Sequence, residues 1–272
     1  MYLRHWALTR PPFARVFHGH WYFEGPAQEE ALARMFYLTE NRHQVGILCG
    51  QMGVGKSWLL AAFAQQLNHA GCQVASMNMQ GMDLTDFWWK IAENFALNPA
   101  TDEPPLRLWR KISDHLQQQR LVDQPIVLLL DDADECLPET LQGVLRLIHA
   151  LPGEQTLLSV VLACRPQGLT RFGSRLTEHS HLMVHLDPLS YAETKSYITS
   201  ALAYAGRTEM AFTNSALLRL HELSDGLIRR ITHLADLSLA TAAAQKLPCV
   251  DAETIDNVYH ELGASHITRL SA

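Results

Sequence analysis

Residues 50–57 read Gly50-Gln51-Met52-Gly53-Val54-Gly55-Lys56-Ser57, which fits G-x-x-x-x-G-K-[ST] at every position. These residue types at this spacing suit one task, which is to hold a chain of phosphates. Glycines let successive backbone N–H groups turn inward around phosphate oxygens. A helix opening near Lys56 aims its positive dipole end at the same place. The Lys56 ammonium is placed to reach the β- and γ-phosphates, and the Ser57 hydroxyl to ligate Mg²⁺. Trp58 follows directly and is counted with this nucleotide-binding run.

A metal–triphosphate site also needs carboxylates at a strand tip. The apolar run 126–130 ends in Asp131-Asp132. Asp131 is expected to hold Mg²⁺ through water together with Ser57, and Asp132 to orient or deprotonate an attacking water. Asp134 and Glu135 follow closely. An acidic helix start, where carboxylates favour the dipole, is the competing explanation for this cluster.

The elements that must position these groups can be read from hydrophobic patterning. Residues 44–49, 73–79, 125–130, 156–164 and 181–186 are apolar, strand-like runs, and helical stretches separate them at 56–70, 83–97, 105–120, 137–150 and 168–176. Residues 27–40 form a further helix ahead of the first strand. Continuous apolar strands alternating with helices imply a five-stranded parallel sheet covered on both faces, an α/β fold. In the chain a further strand, 73–79, separates the glycine-rich loop from Asp131. The two motifs should therefore not lie on neighbouring strands. Beyond Pro188 the pattern is helical only, at 190–205, 213–224, 227–245 and 251–262, with caps at Ser190 and at Thr213 or Asn214. The expected division is an αβα core over 1–188 and a small helical subdomain over 189–272. Residues 1–25 carry Pro11-Pro12-Phe13 and read as an extended arm, not a helix.

Composition narrows the class. Hydrophobic residues make up 47% of 272, enough for a sizeable core, and the net charge of −6 argues against non-specific polyanion binding. The five cysteines have no CxxC spacing, so neither a disulfide framework nor a zinc knuckle is expected. No stretch approaches the roughly 18–20 apolar residues of a membrane span, and the N-terminus lacks an apolar signal region. A cytoplasmic protein, with peripheral attachment through a partner still open, is the expectation.

With these residues in place, nearly the whole chain resembles the AAA+ ATPase domain of the general secretion pathway protein A family, whose relatives serve pilus and transposition systems. Tyr2 with Pro11-Pro12-Phe13 resembles the family's opening "PPF" arm, and Glu29-Glu30-Ala31-Leu32 its "REAL" helix. Residues 126–133 match "LLIDEA". Leu186-Asp187-Pro188-Leu189-Ser190 with Glu193-Thr194 and Tyr197-Ile198 matches "L-x-P-L-S-x-x-E-T-x-x-Y-I". Leu223-Ser224-Asp225-Gly226 with Arg229 resembles "L-S-x-G-x-P-R", and residues 250–254 resemble the closing "V-D-x-E-x". The resemblance implies ATP and Mg²⁺ as ligands, a helical lid, ring or filament assembly as a homo-oligomer, and a protein partner in secretion or pilus assembly. It also implies that Arg229 is a second sensor reaching from the lid towards the γ-phosphate. Three departures stand out. Asp132 replaces the usual Glu, Cys164-Arg165 replaces the polar first sensor, and Ile228 replaces Pro. Arg165 is then a candidate γ-phosphate contact. The family's membrane segment and peptidoglycan-binding module find no counterpart before Ala272.

Other candidates have bland and sharp readings. Arg171 and Arg175 are either a trans arginine finger or a solvated basic face. His179, His181 and His185 share one strand face but lack partners of ligand spacing, and His18 and His20 read similarly. Phe87-Trp88-Trp89 is mainly core, with one ring free for a partner or a base. Met77, Met79 and Met82 read as core filling. The functional alternatives are a nucleotide-dependent DNA-binding transposition helper and a slow-turnover nucleotide switch.

Overall fold

The computed structural model describes residues 2–13, 21–150 and 157–270, with only backbone from residue 263 onward. His18, His20, the middle of the N-terminal arm and the first residue of the 156–164 strand expectation lie outside the described residues.

In chain order the elements are α1 (Tyr2–His5), α2 (Pro26–Glu40), β1 (Val45–Gly50), α3 (Lys56–His69), β2 (Gln73–Asn78), α4 (Leu84–Asn94), α5 (Pro105–Leu121) and β3 (Ile126–Asp131). Then follow α6 (Pro138–Ala150), β4 (Leu158–Cys164), α7 (Gly173–Glu178), β5 (Ser180–Leu186), α8 (Tyr191–Tyr204), α9 (Asn214–Ser224), α10 (Ile228–Ala244) and α11 (Ala252–Leu270). The chain divides into two compact units. One comprises residues 26–51 and 56–186, the other residues 1–25, 52–55 and 187–272.

The larger unit holds the sheet. Its order is β2-β3-β4-β1-β5, all parallel, so β4 separates the strand of the glycine-rich loop from the strand of Asp131. The central strands β1 and β4 are buried at every position. The edge strands β2 and β5 alternate buried and exposed residues, as strands with one open side must. Alternate residues sort to two faces. Val45, Ile47, Cys49, Leu128, Leu130, Val160, Leu162 and Cys164 join a core with Phe87, Trp88, Ile112 and Val144 of α4, α5 and α6. On the opposite face Gly46 lies under Leu38 of α2, and a β-carbon at Gly46 would stand 2.9 Å from Leu38 Cδ1. Phe87 and Trp88 are core, while half-buried Trp89 donates its indole N–H to the Ala100 carbonyl, 3.0 Å.

The helical unit is built on α8 to α11. Ser190 and Glu193 form a reciprocal capping box at α8, and the Thr213 side chain, rather than that of Asn214, caps α9. One isolated bridge, Phe212 to Val250, interrupts the all-helical pattern. Residues 1–25 cluster with this unit, whereas the sequence reading placed them with the core. The reason is aromatic burial. Trp6 is 1% exposed and its indole donates to Leu239 O at 2.8 Å, and Phe13 and Phe23 lie against Tyr197. The start of the arm is also not extended. Tyr2–His5 makes a helical turn, because the prolines that forbid helix come only at 11 and 12. The short helix expected over 168–176 is two pieces, a 3-10 turn Pro166–Phe172 and then α7.

Candidate nucleotide-binding site

The site residues gather at the carboxyl ends of the strands, the edge where open parallel sheets bind ligands. β1 ends at Gly50 and α3 begins at Lys56. Between them Gly53 and Gly55 adopt φ of +85° and +111°, a region that side chains with a β-carbon rarely enter. Val54 is buried and Met52 is 63% exposed, so the loop is anchored at one point and open at another.

Lys56 is 6% exposed. Its ammonium donates to the carbonyls of Gly50 at 2.8 Å and Gln51 at 3.2 Å. A buried cation satisfied by neutral carbonyls is poised for stronger, anionic acceptors, since charge-assisted hydrogen bonds are about twice as strong as neutral ones.

Asp131 ends β3, in register with Asn78 at the end of β2. Burial pushes its carboxyl above the ordinary carboxylate range, a hydrogen bond from Ser57 opposes that shift, and the neighbouring Asp132 reinforces it. A half-buried carboxylate that accepts from the Ser57 hydroxyl and the Asp132 backbone N–H fits a hard divalent cation, which takes oxygen ligands and keeps several of its waters. Ser57 and Asp131 are therefore the residues suited to Mg²⁺. A group whose folded pKa is raised adds stability at low pH, and that stability is lost as pH rises through the raised value. Asp131→Asn should thus raise the Tm of the ligand-free protein at pH 7. The gain should shrink as pH falls towards the raised pKa, where wild-type Asp131 is itself protonated. Thermal denaturation at pH 7 and pH 5 checks this, and an Asp131→Asn protein less stable at pH 7 would contradict it.

Asp132 occupies the left-handed region, φ 48° and ψ 40°. Its backbone N–H donates to Asp131 Oδ1 at 3.0 Å, and Asn78 Nδ2 donates to its Oδ2 at 2.9 Å. Asn78 is in turn fixed by the Gln80 N–H on its Oδ1 at 2.8 Å. The sequence reading did not single out Asn78. Its signal was present, as the polar residue that closes the QVASMN strand.

Asp134 is 1% exposed and pairs with Arg165, whose Nε lies 2.9 Å from Asp134 Oδ2 while its other arm lies 2.9 Å from Glu135 Oε1. Gly168 allows this approach, because a β-carbon there would stand 2.2 Å from Asp134 Cβ. Arg171 donates to the carbonyls of Asp134 and Cys136, which ties the turn after β4 to the turn after β3. Arg165 and Arg171, candidates for phosphate contact from sequence, thus sit on internal partners here, and Arg175 is exposed. Cys164 is buried beside Cys49 on the neighbouring strand, and burial pushes its thiol up to about 12.

The loop tip, residues 52–55, clusters with the helical unit, and Arg229 there donates its backbone N–H to Gly53 O at 3.0 Å. A β-carbon on Gly53 would stand 3.0 Å from Arg229 Cβ, and one on Gly55 would stand 3.1 Å from Ile228 Cδ1. The Arg229 side chain is exposed. His181 on β5 stacks on His43, and His179, which caps α7 rather than lying on the strand, meets His149 edge-on. Among the described residues no three metal-ligating side chains gather, and no helix is long and apolar enough to cross a membrane.

The sequence profile of the AAA domain matches residues 39–172. The chain is similar to general secretion pathway protein A of Aeromonas hydrophila, at 28% identity over 253 residues, 90% of this chain and 45% of that one. It therefore spans less than half of that relative's length. Among solved structures it is similar in fold to Cdc6p of Pyrobaculum aerophilum, with TM-score 0.71, 18% identity, 88% of this chain and 67% of that chain covered. It is similar also to the Drosophila ORC bound to DNA, with TM-score 0.73, 14% identity, and coverages of 93% and 64%.

Proposed function

From the premise that this chain carries an AAA+ P-loop NTPase domain, similar to that of general secretion pathway protein A, we propose that it binds and hydrolyses ATP with Mg²⁺ to gate the assembly of a partner complex. The observation that carries the reading is the buried Lys56 ammonium, held on main-chain carbonyls at the mouth of a glycine-rich loop. The loop amides and Lys56 bind and orient the triphosphate, and Ser57 and Asp131 would hold Mg²⁺, which would supply charge neutralisation at the phosphates. Asp132 aligns the attacking water and accepts its proton. Arg229, beside the loop tip, is assigned to the γ-phosphate. The secretion or pilus setting rests on the relative's name alone. Homo-oligomeric assembly and peripheral membrane attachment through a partner belong to the same reading.

Two contacts favour slow basal turnover. Asn78 occupies the Asp132 carboxylate, and Arg165 is engaged by Asp134 and Glu135. Removing one hydrogen bond of about 1 kcal/mol from the Asp132 base changes its availability about fivefold. Asn78→Ala should therefore raise basal phosphate release several-fold with little change in ATP affinity. A rate equal to or below wild type would remove Asn78 from the account.

The proposal as a whole is tested by titrating the protein with ATP in the presence of Mg²⁺ and then with excess chelator, and by following phosphate release in parallel. Saturable binding that weakens on chelation, with measurable release, is expected. Binding indifferent to Mg²⁺ and no release would reject the enzymatic part.

A further inference from the structure

Helix α10 opens without a side-chain cap. Its N-cap residue is Leu227, whose side chain has no oxygen to offer the first turn. The first N–H groups of a helix find no acceptor within it and need one elsewhere. Arg230 and Ile231 turn back to the Leu227 carbonyl, while Arg229 donates its N–H to Gly53 O at 3.0 Å. The glycine-rich loop thus supplies the cap that the sequence of α10 lacks. The loop tip and α10 belong to one compact unit.

Packing fixes the same contact. Gly53 holds φ at +85°, and a β-carbon on it would stand 3.0 Å from Arg229 Cβ. Ile228 Cδ1 lies 3.1 Å from where a β-carbon on Gly55 would stand. Two glycines of the loop are therefore seated directly on the first turn of α10.

The consequence lies on the other side of the peptide bond. A trans peptide is planar, so its C=O and N–H point opposite ways. With the Gly53 carbonyl turned to Arg229, the N–H of Val54 faces away from Arg229. Among the described residues, the backbone N–H groups of residues 52–55 meet no main-chain acceptor. Successive N–H groups held together make an anion-binding nest. Fixing them before the ligand arrives removes part of the ordering cost of binding.

We infer that the first turn of α10 preorganises the loop for phosphate, through the Arg229 backbone N–H and the Ile228 side chain. This rests on the nucleotide reading above. It is separate from the assignment of the Arg229 guanidinium to the γ-phosphate. The positioning group is main chain, and it acts on any polyphosphate that the loop holds.

Two variants at one position separate the roles. Arg229→Ala deletes the guanidinium and keeps the N–H, whereas Arg229→Pro deletes both, in the first turn where proline is best tolerated. Affinities for ADP and ATP, each with Mg²⁺, are measured by calorimetry, since ADP has no γ-phosphate. Arg229→Ala should weaken ATP binding and leave ADP binding near that of wild type. Arg229→Pro should bind ADP about fivefold more weakly, which is what one net hydrogen bond is worth. A second arm does not depend on the proline variant folding. Gly53→Ala is made in wild type and in Arg229→Gly, which keeps the N–H but removes the opposing β-carbon. Its loss of ADP affinity should be smaller in the Arg229→Gly background, because only the strain at φ remains. Equal ADP affinity in Arg229→Ala and Arg229→Pro, or an equal Gly53→Ala effect in both backgrounds, overturns this inference and leaves the phosphate site standing. A wild type that binds neither nucleotide overturns both.

Discussion

Lys56→Ala protein is expected to lose about a hundredfold in ATP affinity and all measurable phosphate release, with its fold retained. The ammonium is 6% exposed and donates to the carbonyls of Gly50 and Gln51. Those are weak partners beside a triphosphate. Two charge-assisted hydrogen bonds to phosphate oxygens, at about 1.5 kcal/mol each, amount to about 3 kcal/mol, or two decades in Kd. Deletion removes a buried charge together with its bonds, so the two effects on stability oppose one another and Tm should move little. Lys56→Arg should not rescue binding, because a planar guanidinium does not fit a pocket shaped around a compact ammonium. Calorimetric titration and a phosphate-release assay read both quantities. Equal affinity in wild type and variant would move the triphosphate away from this loop.

The second large effect concerns Arg165. Its guanidinium neutralises Asp134, whose side chain is fully buried, and also meets Glu135. Breaking a buried pair by removing one partner costs about 3–5 kcal/mol, because the remaining charge is stranded. The Arg165 side chain is 35% exposed, so solvent screens part of the loss and about 2–3 kcal/mol is expected. In a chain of this size that lowers Tm by roughly 5–10 °C. Asp134→Asn in the Arg165→Ala background should recover part of the loss, since the stranded charge is then gone. An Arg165→Ala protein that melts with wild type but releases phosphate more slowly would instead make Arg165 a phosphate contact alone. The expectation here is that stability falls first. The arginine clamps the turn after β3 to the strand end of β4 through its Nε and one Nη.

The legible part of this molecule lies where one physical rule dominates a short stretch. The glycine-rich loop, the burial of β1, β3 and β4 and the capping box at Ser190 all follow from local chemistry. The strand order does not, because it depends on crossovers that no local pattern records. Only the alternating burial of QVASMN and SHLMVHL marks β2 and β5 as edges. The arm illustrates a different limit. Pro11-Pro12 argues for extension, but Trp6 and Phe13 find their partners two hundred residues later, so long-range packing decides which unit holds them. The site residues behave likewise. Lys56, Ser57 and Asp131 belong to a motif and could be named from it. Asn78 and Asp134 matter through contacts that exist only once strands and helices are side by side. Arg165 was noticed for its position after a strand, and its ion pair with Asp134 depends on the close approach that Gly168 permits.

The central claim is that a triphosphate lies on the loop between β1 and α3, with its metal against Ser57 and Asp131. A crystal grown with a non-hydrolysable ATP analogue and Mn²⁺ in place of Mg²⁺ tests it directly. The account predicts phosphate density within hydrogen-bonding distance of Lys56 Nζ, and an anomalous manganese peak beside the Ser57 hydroxyl and the Asp131 carboxylate. Clear density for the analogue at another place, with Lys56 still bonded to the Gly50 and Gln51 carbonyls, would contradict it.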